Sequence, residues 1–210
     1  MDLKDIALKA VAQLAKKYQP EFIILYGSTV RGDYSEQSDI DVACFCNAPL
    51  VDKDVRLFEG KKLDCWLYSL DQAVPNKNEF LRFVGGELYY DKTGRGQDFL
   101  AKVTSYFDQG PEPMADDARE HLIQWANNML QRAAGNSVES NYRRSWLPCE
   151  LLSIYFELRG RWYLGSKQSF SWLQENDAAT FLLFKQVFAE PTNLAVLSQL
   201  VNATVSVDKA

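Results

Sequence analysis

The sequence predicts an α+β fold, with a small mixed-sheet domain over residues 1–110 and an all-α helical bundle over 111–210. Three observations carry this. In the first half, short apolar runs bounded by turn residues follow one amphipathic stripe. Gly110-Pro111-Glu112-Pro113 is the clearest breaker in the chain. Beyond it the apolar residues recur at helical spacing throughout.

Taken in order, Leu3, Ile6, Ala7, Ala10, Val11 and Leu14 mark an amphipathic opening helix, which Pro20 stops near Tyr18-Gln19. Phe22 to Tyr26 reads as a buried strand, followed by a Gly27-Ser28 turn. Ile40 to Phe45 reads as a second strand, and Lys62 to Tyr68 alternates like a third. Asp71 is placed to cap a short helix from Gln72. Gly85-Gly86 leads into a last strand at Glu87 to Tyr90, and Phe99, Val103 and Phe107 imply a closing helix. Helical segments of the second half are expected near 114–134, 146–164, 169–175, 177–188 and 192–204, with Asn136-Ser137 in a loop. No internal repeat or low-complexity tract interrupts them.

At 210 residues, with 47% hydrophobic residues and a net charge of −5, the chain can bury a real core. It lacks the basic footprint of a protein that holds long nucleic acid. Its modest basic concentration is Arg143, Arg144, Arg159, Arg161 and Lys167. The four cysteines, Cys44, Cys46, Cys65 and Cys149, have no spacing for a zinc site. Structural thiols in a reducing compartment are the better reading. The N-terminus lacks the apolar core of a signal peptide, and no apolar run is long enough to span a bilayer. The expected location is cytoplasmic.

Chemistry concentrates in Tyr26-Gly27-Ser28-Thr29-Val30-Arg31-Gly32 and in Ser38-Asp39-Ile40-Asp41-Val42. Asp39 and Asp41 occupy alternate positions and share a strand face. Two carboxylates there repel each other unless a cation lies between them, and oxygen-only ligands suit a hard ion such as Mg²⁺. The Gly-Ser turn offers N–H groups and a hydroxyl to phosphate oxygens. Together these residues point to a metal-nucleotide site.

Y-G-S-T-V-R-G followed by S-D-I-D-V resembles the signature of the DNA polymerase β-like nucleotidyltransferase superfamily. Within it the sequence resembles bacterial minimal nucleotidyltransferases and aminoglycoside adenylyltransferases. The family's third carboxylate is best matched by Asp64. The resemblance implies transfer of an NMP, with AMP from ATP as the leading case, to a hydroxyl of a small molecule or protein. Pyrophosphate would be released. Asp39, Asp41 and Asp64 would hold two Mg²⁺ ions, and Gly27 and Ser28 would approach the triphosphate. Arg31 would either touch phosphate or brace the loop by pairing with Asp33 or Glu36.

In the second half, Glu150, Ile154, Glu157 and Arg161 form one helical stripe, with Leu151, Tyr155, Leu158 and Trp162 as the core face. Some relatives use a glutamate to take the acceptor's proton. No motif picks one out here: Glu157 is the candidate, Glu150 stays open beside it, and a surface pair of Glu157 with Arg161 is the competing reading. Lys167, after Gly165-Ser166, resembles a phosphate-binding lysine of the adenylyltransferases and reads equally well as a solvated lysine. The expected partners are a nucleoside triphosphate and a hydroxyl acceptor, with a homodimer or a separate protein partner compatible with the family. The alternative class is an antitoxin-like regulatory module that binds nucleotide. The second half shows no Arg-x-x-x-x-His motif of the helical nucleases with which such modules pair.

Overall fold

The computed structural model describes residues 2–207. The chain forms two compact units, Met1–Gln109 and Gly110–Ala210. The first is α/β and the second is helical, so the fold class is the α+β arrangement the sequence predicts.

The first unit opens with helix α1 (Leu3–Tyr18), whose Leu3, Ile6, Ala7, Ala10, Val11 and Leu14 are buried. Strands β1 (Phe22–Tyr26), β2 (Ile40–Cys46), β3 (Lys53–Phe58), β4 (Lys61–Ser69) and β5 (Glu87–Asp91) make one sheet in the order β3-β4-β2-β1-β5. The β2–β4 pair is parallel and the other pairs are antiparallel, so the sheet is mixed. A single helical turn, α2 (Ser28–Arg31), follows β1, and α3 (Arg95–Gln109) closes the unit.

Alternation along the strands gives the sheet two apolar faces. Val42, Cys44, Cys46, Leu63, Cys65 and Leu67 pack against α1. Ile24, Tyr26, Ala43, Phe45 and Tyr68 pack on the opposite side against Phe80, Phe83, Phe99 and Val103. That second core is largely aromatic, with Phe45 stacked on Phe22 at 4.3 Å and on Tyr68 at 5.1 Å between ring centroids. Such ring pairs add about 0.5–1.5 kcal/mol each beyond burial.

Two elements of this unit escape the sequence reading. Strand β3 is the sheet edge, and the 3₁₀ segment Asn78–Phe83 lays Phe80 and Phe83 on the aromatic face. A third is corrected. The short helix expected from Gln72 is a 3₁₀ turn, Leu70–Gln72, that begins after Ser69. Gln72 Oε1 accepts the Ser69 N–H at 2.8 Å, so Ser69 is the cap and Asp71 lies inside the turn.

The second unit holds α4 (Asp116–Ala133), α5 (Val138–Leu158), α6 (Ser166–Asn176), α7 (Ala178–Ala189) and α8 (Leu194–Val205). Met129, Leu147, Leu151, Tyr155, Phe184, Leu197 and Leu200 meet in its core. Helix α5 differs from the expected 146–164 at both ends. Ser137 caps it, its Oγ accepting the Ser140 N–H at 3.1 Å, and the helix runs through Pro148. It ends at Leu158, with Gly160 at φ 60° just beyond. Trp162 and Arg161 therefore lie past the helix, and the four-residue spacing that suggested a Glu157–Arg161 pair lapses. The Arg161 guanidinium instead sits 4.6 Å from the Trp172 ring centroid.

The basic concentration around α5 is largely used inside this unit. Arg143 pairs with Glu139, and Arg144 donates to the Gly135 carbonyl. Arg159 donates to the carbonyls of Ala203, Thr204 and Ser206, where it satisfies the C-terminal end of α8.

Candidate active site

Strand β1 ends at Tyr26, and the chain turns at Gly27 with φ 77° and ψ −154°, a conformation open to glycine almost alone. Antiparallel pairing sets Tyr26 opposite Asp41, and parallel pairing sets Asp41 beside Asp64. The turn and the two carboxylates therefore stand side by side across β1, β2 and β4. Asp41 reaches over the turn, so closely that a Cβ on Gly27 would lie 2.2 Å from its Oδ2. Glycine is needed there twice, for its backbone and for the room it leaves.

Ser28 opens α2 half-buried, and the Gly32 N–H donates to the Ser28 carbonyl at 2.9 Å to close the turn. Thr29 is buried, and its hydroxyl has no hydrogen-bond partner. Arg31 pairs with Asp33 at 3.4 Å, one of the two loop partners expected for it. Ser38 accepts the Ser35 N–H at 2.9 Å and donates its own N–H to the Ser35 carbonyl at 3.1 Å. This small closed turn delivers Asp39 to the start of β2.

The three carboxylates have different surroundings. Burial pushes the Asp41 carboxyl up to about 6, and the charges of Asp39 and Asp64 push the same way. Asp64 has one buried oxygen, Oδ1, that no donor reaches. Asp39 is held by Lys62 at 2.8 Å, a bond that raises the lysine above its ordinary range. Among the described residues no three acidic, histidine or cysteine side chains are already gathered as a metal cage, and Asp39 is bonded to Lys62. The donor set nevertheless fits a hard divalent cation. It is all oxygen, it includes an orphaned buried carboxylate oxygen, and it holds Asp41 with a raised carboxyl that a nearby positive charge would bring back down.

Lys62 and a group centred on Trp66 are the features that motif reading missed. Trp66 follows Asp64 by two residues on β4, with Lys53 Nζ 3.5 Å and Arg82 Cζ 5.0 Å from its ring centroid. The alternation Lys62, Asp64, Trp66 along one strand would have shown that these three share a face.

The second-unit candidates are placed as follows. Glu157 is exposed on the penultimate residue of α5, and Glu150 is half-buried on the same helix. Lys167 is exposed in the first turn of α6, after Gly165 at φ 87°. His121 is exposed on α4. Cys44, Cys46 and Cys65 are free and buried in the sheet, whereas Cys149 is free and exposed. No helix among the described residues is long and apolar enough to cross a membrane.

Residues 5–89 match the family model described as a nucleotidyltransferase domain. No curated protein matches the sequence. Among solved structures, the chain is similar to a nucleotidyltransferase-like protein from Exiguobacterium sibiricum 255-15, with 12% identity and a TM-score of 0.47. That likeness covers 94% of this chain and 74% of the other.

Proposed function

We propose that this chain, which carries a nucleotidyltransferase domain of the polymerase β-like superfamily over residues 5–89, is a Mg²⁺-dependent enzyme. It transfers an NMP, AMP from ATP first among them, to a hydroxyl of a small molecule or protein. The observation that carries the reading is the alignment of Asp41 and Asp64 beside the Gly27-Ser28 turn. A turn able to meet phosphate, set against two carboxylates, is what nucleotidyl transfer requires.

The acceptor oxygen attacks the α-phosphorus in line. The new O–Pα bond forms as the Pα–O–Pβ bridge breaks, and pyrophosphate leaves with the bridging oxygen. The hydroxyl proton passes to a base. Gly27 leaves the backbone open to close approach, and Ser28 offers a hydroxyl and an N–H to the triphosphate. Asp39, Asp41 and Asp64 are the residues that would hold two Mg²⁺ ions. When bound, such ions offset the charge on the reacting phosphate oxygens. To join them, Asp39 would have to give up its bond to Lys62. Glu157 as the base and Lys167 as a phosphate ligand rest on the family resemblance.

The test follows α-labelled ATP in the presence of Mg²⁺ and a panel of hydroxyl acceptors, with pyrophosphate release read in parallel. Asp39→Ala and Asp41→Ala should each lower transfer by at least about a hundredfold. If both variants turned over like the wild type, the reading would fail.

A further inference from the structure

We propose that the acceptor carries an anionic group, a phosphate or a carboxylate, and that Lys53 and Arg82 bind it beside the indole of Trp66. This rests on the transferase reading above and names the chemistry of its second substrate.

In-line displacement places the attacking and leaving oxygens on opposite sides of the phosphorus. The sheet order fixes which side is which. With the triphosphate tail at Gly27-Ser28 on the end of β1, the row continues through Asp41 on β2 and Asp64 on β4 to the edge strand β3. The attacking hydroxyl therefore enters from the β4–β3 flank. Trp66 lies on that flank, on the same face as Asp64 and with its Cα paired to Lys53 of β3. Val55, paired with Asp64 and 52% exposed, gives the flank an apolar edge for a carbon skeleton.

The cations there are unlike their neighbours. Lys62 pairs with Asp39, Arg31 with Asp33 and Arg56 with Asp54, and Lys61 donates to the Glu36 carbonyl. Lys53 lies over Trp66, and among the described residues no carboxylate pairs with it. Arg82 arrives from the 3₁₀ segment that Phe80 and Phe83 anchor in the aromatic core. One of its terminal nitrogens donates to the Tyr68 hydroxyl, and its Nε is buried with no partner at all. The surrounding rings of Tyr26, Trp66, Tyr68 and Phe83 stabilise the positive charge without accepting those hydrogens. A buried donor with no acceptor is costly, and a bound anion would supply one. The same two charges repel polycationic acceptors.

The experiment uses the full chain labelled with ¹⁵N and follows the Arg82 Nε–H resonance, assigned with Arg82→Gln. The probes are inorganic phosphate, glycerol 3-phosphate, glycerate and glycerol. The anions should shift the resonance saturably and glycerol should not. A stronger response to glycerol 3-phosphate assigns a phosphate ester, and a stronger response to glycerate assigns a carboxylate. Saturating Mg²⁺ with α,β-methylene-ATP should leave that affinity unchanged within about twofold. Lys53→Gln should weaken anion binding by at least about tenfold with nucleotide affinity unchanged. The idea is overturned if no anion moves the resonance, or if Lys53→Gln binds the anions like the wild type. It is also overturned if the nucleotide displaces them, because the two cations would then serve the triphosphate. Lys53 is exposed on an edge strand, so its variant carries the test even if Arg82→Gln fails to fold. Loss of the transferase reading would show separately, as transfer that survives Asp41→Asn.

Discussion

Gly27 and Asp41 constrain one another. A methyl group at Gly27 would meet Asp41 Oδ2 at 2.2 Å, on a backbone with φ 77°. Gly27→Ala should cost about 1–3 kcal/mol in backbone strain alone and should push Asp41 aside. Chemical denaturation reads the first effect and ATP turnover the second. Full turnover in this variant would mean that the position of Asp41 is not needed. Asp41 itself stands against stability. Its folded carboxyl is raised to about 6, first by burial and then by Asp39 and Asp64. A raised value favours the protonated form in the folded state, so its contribution is full below about pH 4 and is lost as the pH rises through 6. In metal-free protein, Asp41→Asn should therefore gain about 1–2 kcal/mol at pH 7.5, allowing for solvent screening, and nothing near pH 4. Thermal scans in a chelator at the two pH values check this. An unchanged midpoint at pH 7.5 would remove the claim that burying this carboxylate beside Asp39 and Asp64 costs stability. The same variant should be inactive, which is the pattern expected of a functional carboxylate.

Among the elements, Asp177 ties two helices with one side chain. It caps α7 by accepting the Thr180 N–H at 3.1 Å, and it accepts the Tyr155 hydroxyl of α5 at 2.7 Å. Burial alone would raise its carboxyl, but the bonds from Tyr155 and Thr180 outweigh burial and hold it below the usual range. A depressed folded value contributes stability above the unfolded value and loses it as the pH falls through the folded one. Asp177→Ala should cost about 1–2 kcal/mol at pH 7, with the gap narrowing below about pH 4. A constant gap across that window would assign the loss to packing. The elements the sequence hid share physical reasons. Strand β3 buries Asp54 and exposes Val55 and Leu57, so its alternation points the wrong way for a reader seeking an apolar inner face. The hairpin after it turns on Glu59-Gly60, both at positive φ, in place of the more telling Asn-Gly or Asp-Gly. The first turns of α5 are polar, and Pro148 looks like a beginning when it lies inside. By contrast, α1, β1, β2 and β4 were legible because burial and periodicity agree in them. The alignment of Gly27, Asp41 and Asp64 was legible as a motif. The Asp39–Lys62 pair and the Trp66 cations were not, since they depend on neighbours across strands and layers.

At the scale of the whole molecule, each unit has a hydrophobic core of its own, and the turn and the three carboxylates belong to the first. Whether the helical unit supplies chemistry is a question for its side chains. Glu157 and Lys167 are exposed in that unit, so changing them should leave its core intact. Glu157→Gln and Lys167→Ala should each move stability by no more than about 0.5 kcal/mol. If Glu157 takes the acceptor's proton, its variant should lose about a hundredfold or more in kcat, with the deficit shrinking as the pH rises and the hydroxyl ionises more readily. If Lys167 binds phosphate, its variant should raise the KM for ATP and leave the acceptor's KM alone. Melting curves beside steady-state kinetics separate these effects from misfolding. Wild-type kinetics in both variants would confine the chemistry to Asp39, Asp41, Asp64 and the Gly27-Ser28 turn. The search for the base would then move to the first unit, on the flank between Asp64 and Lys53.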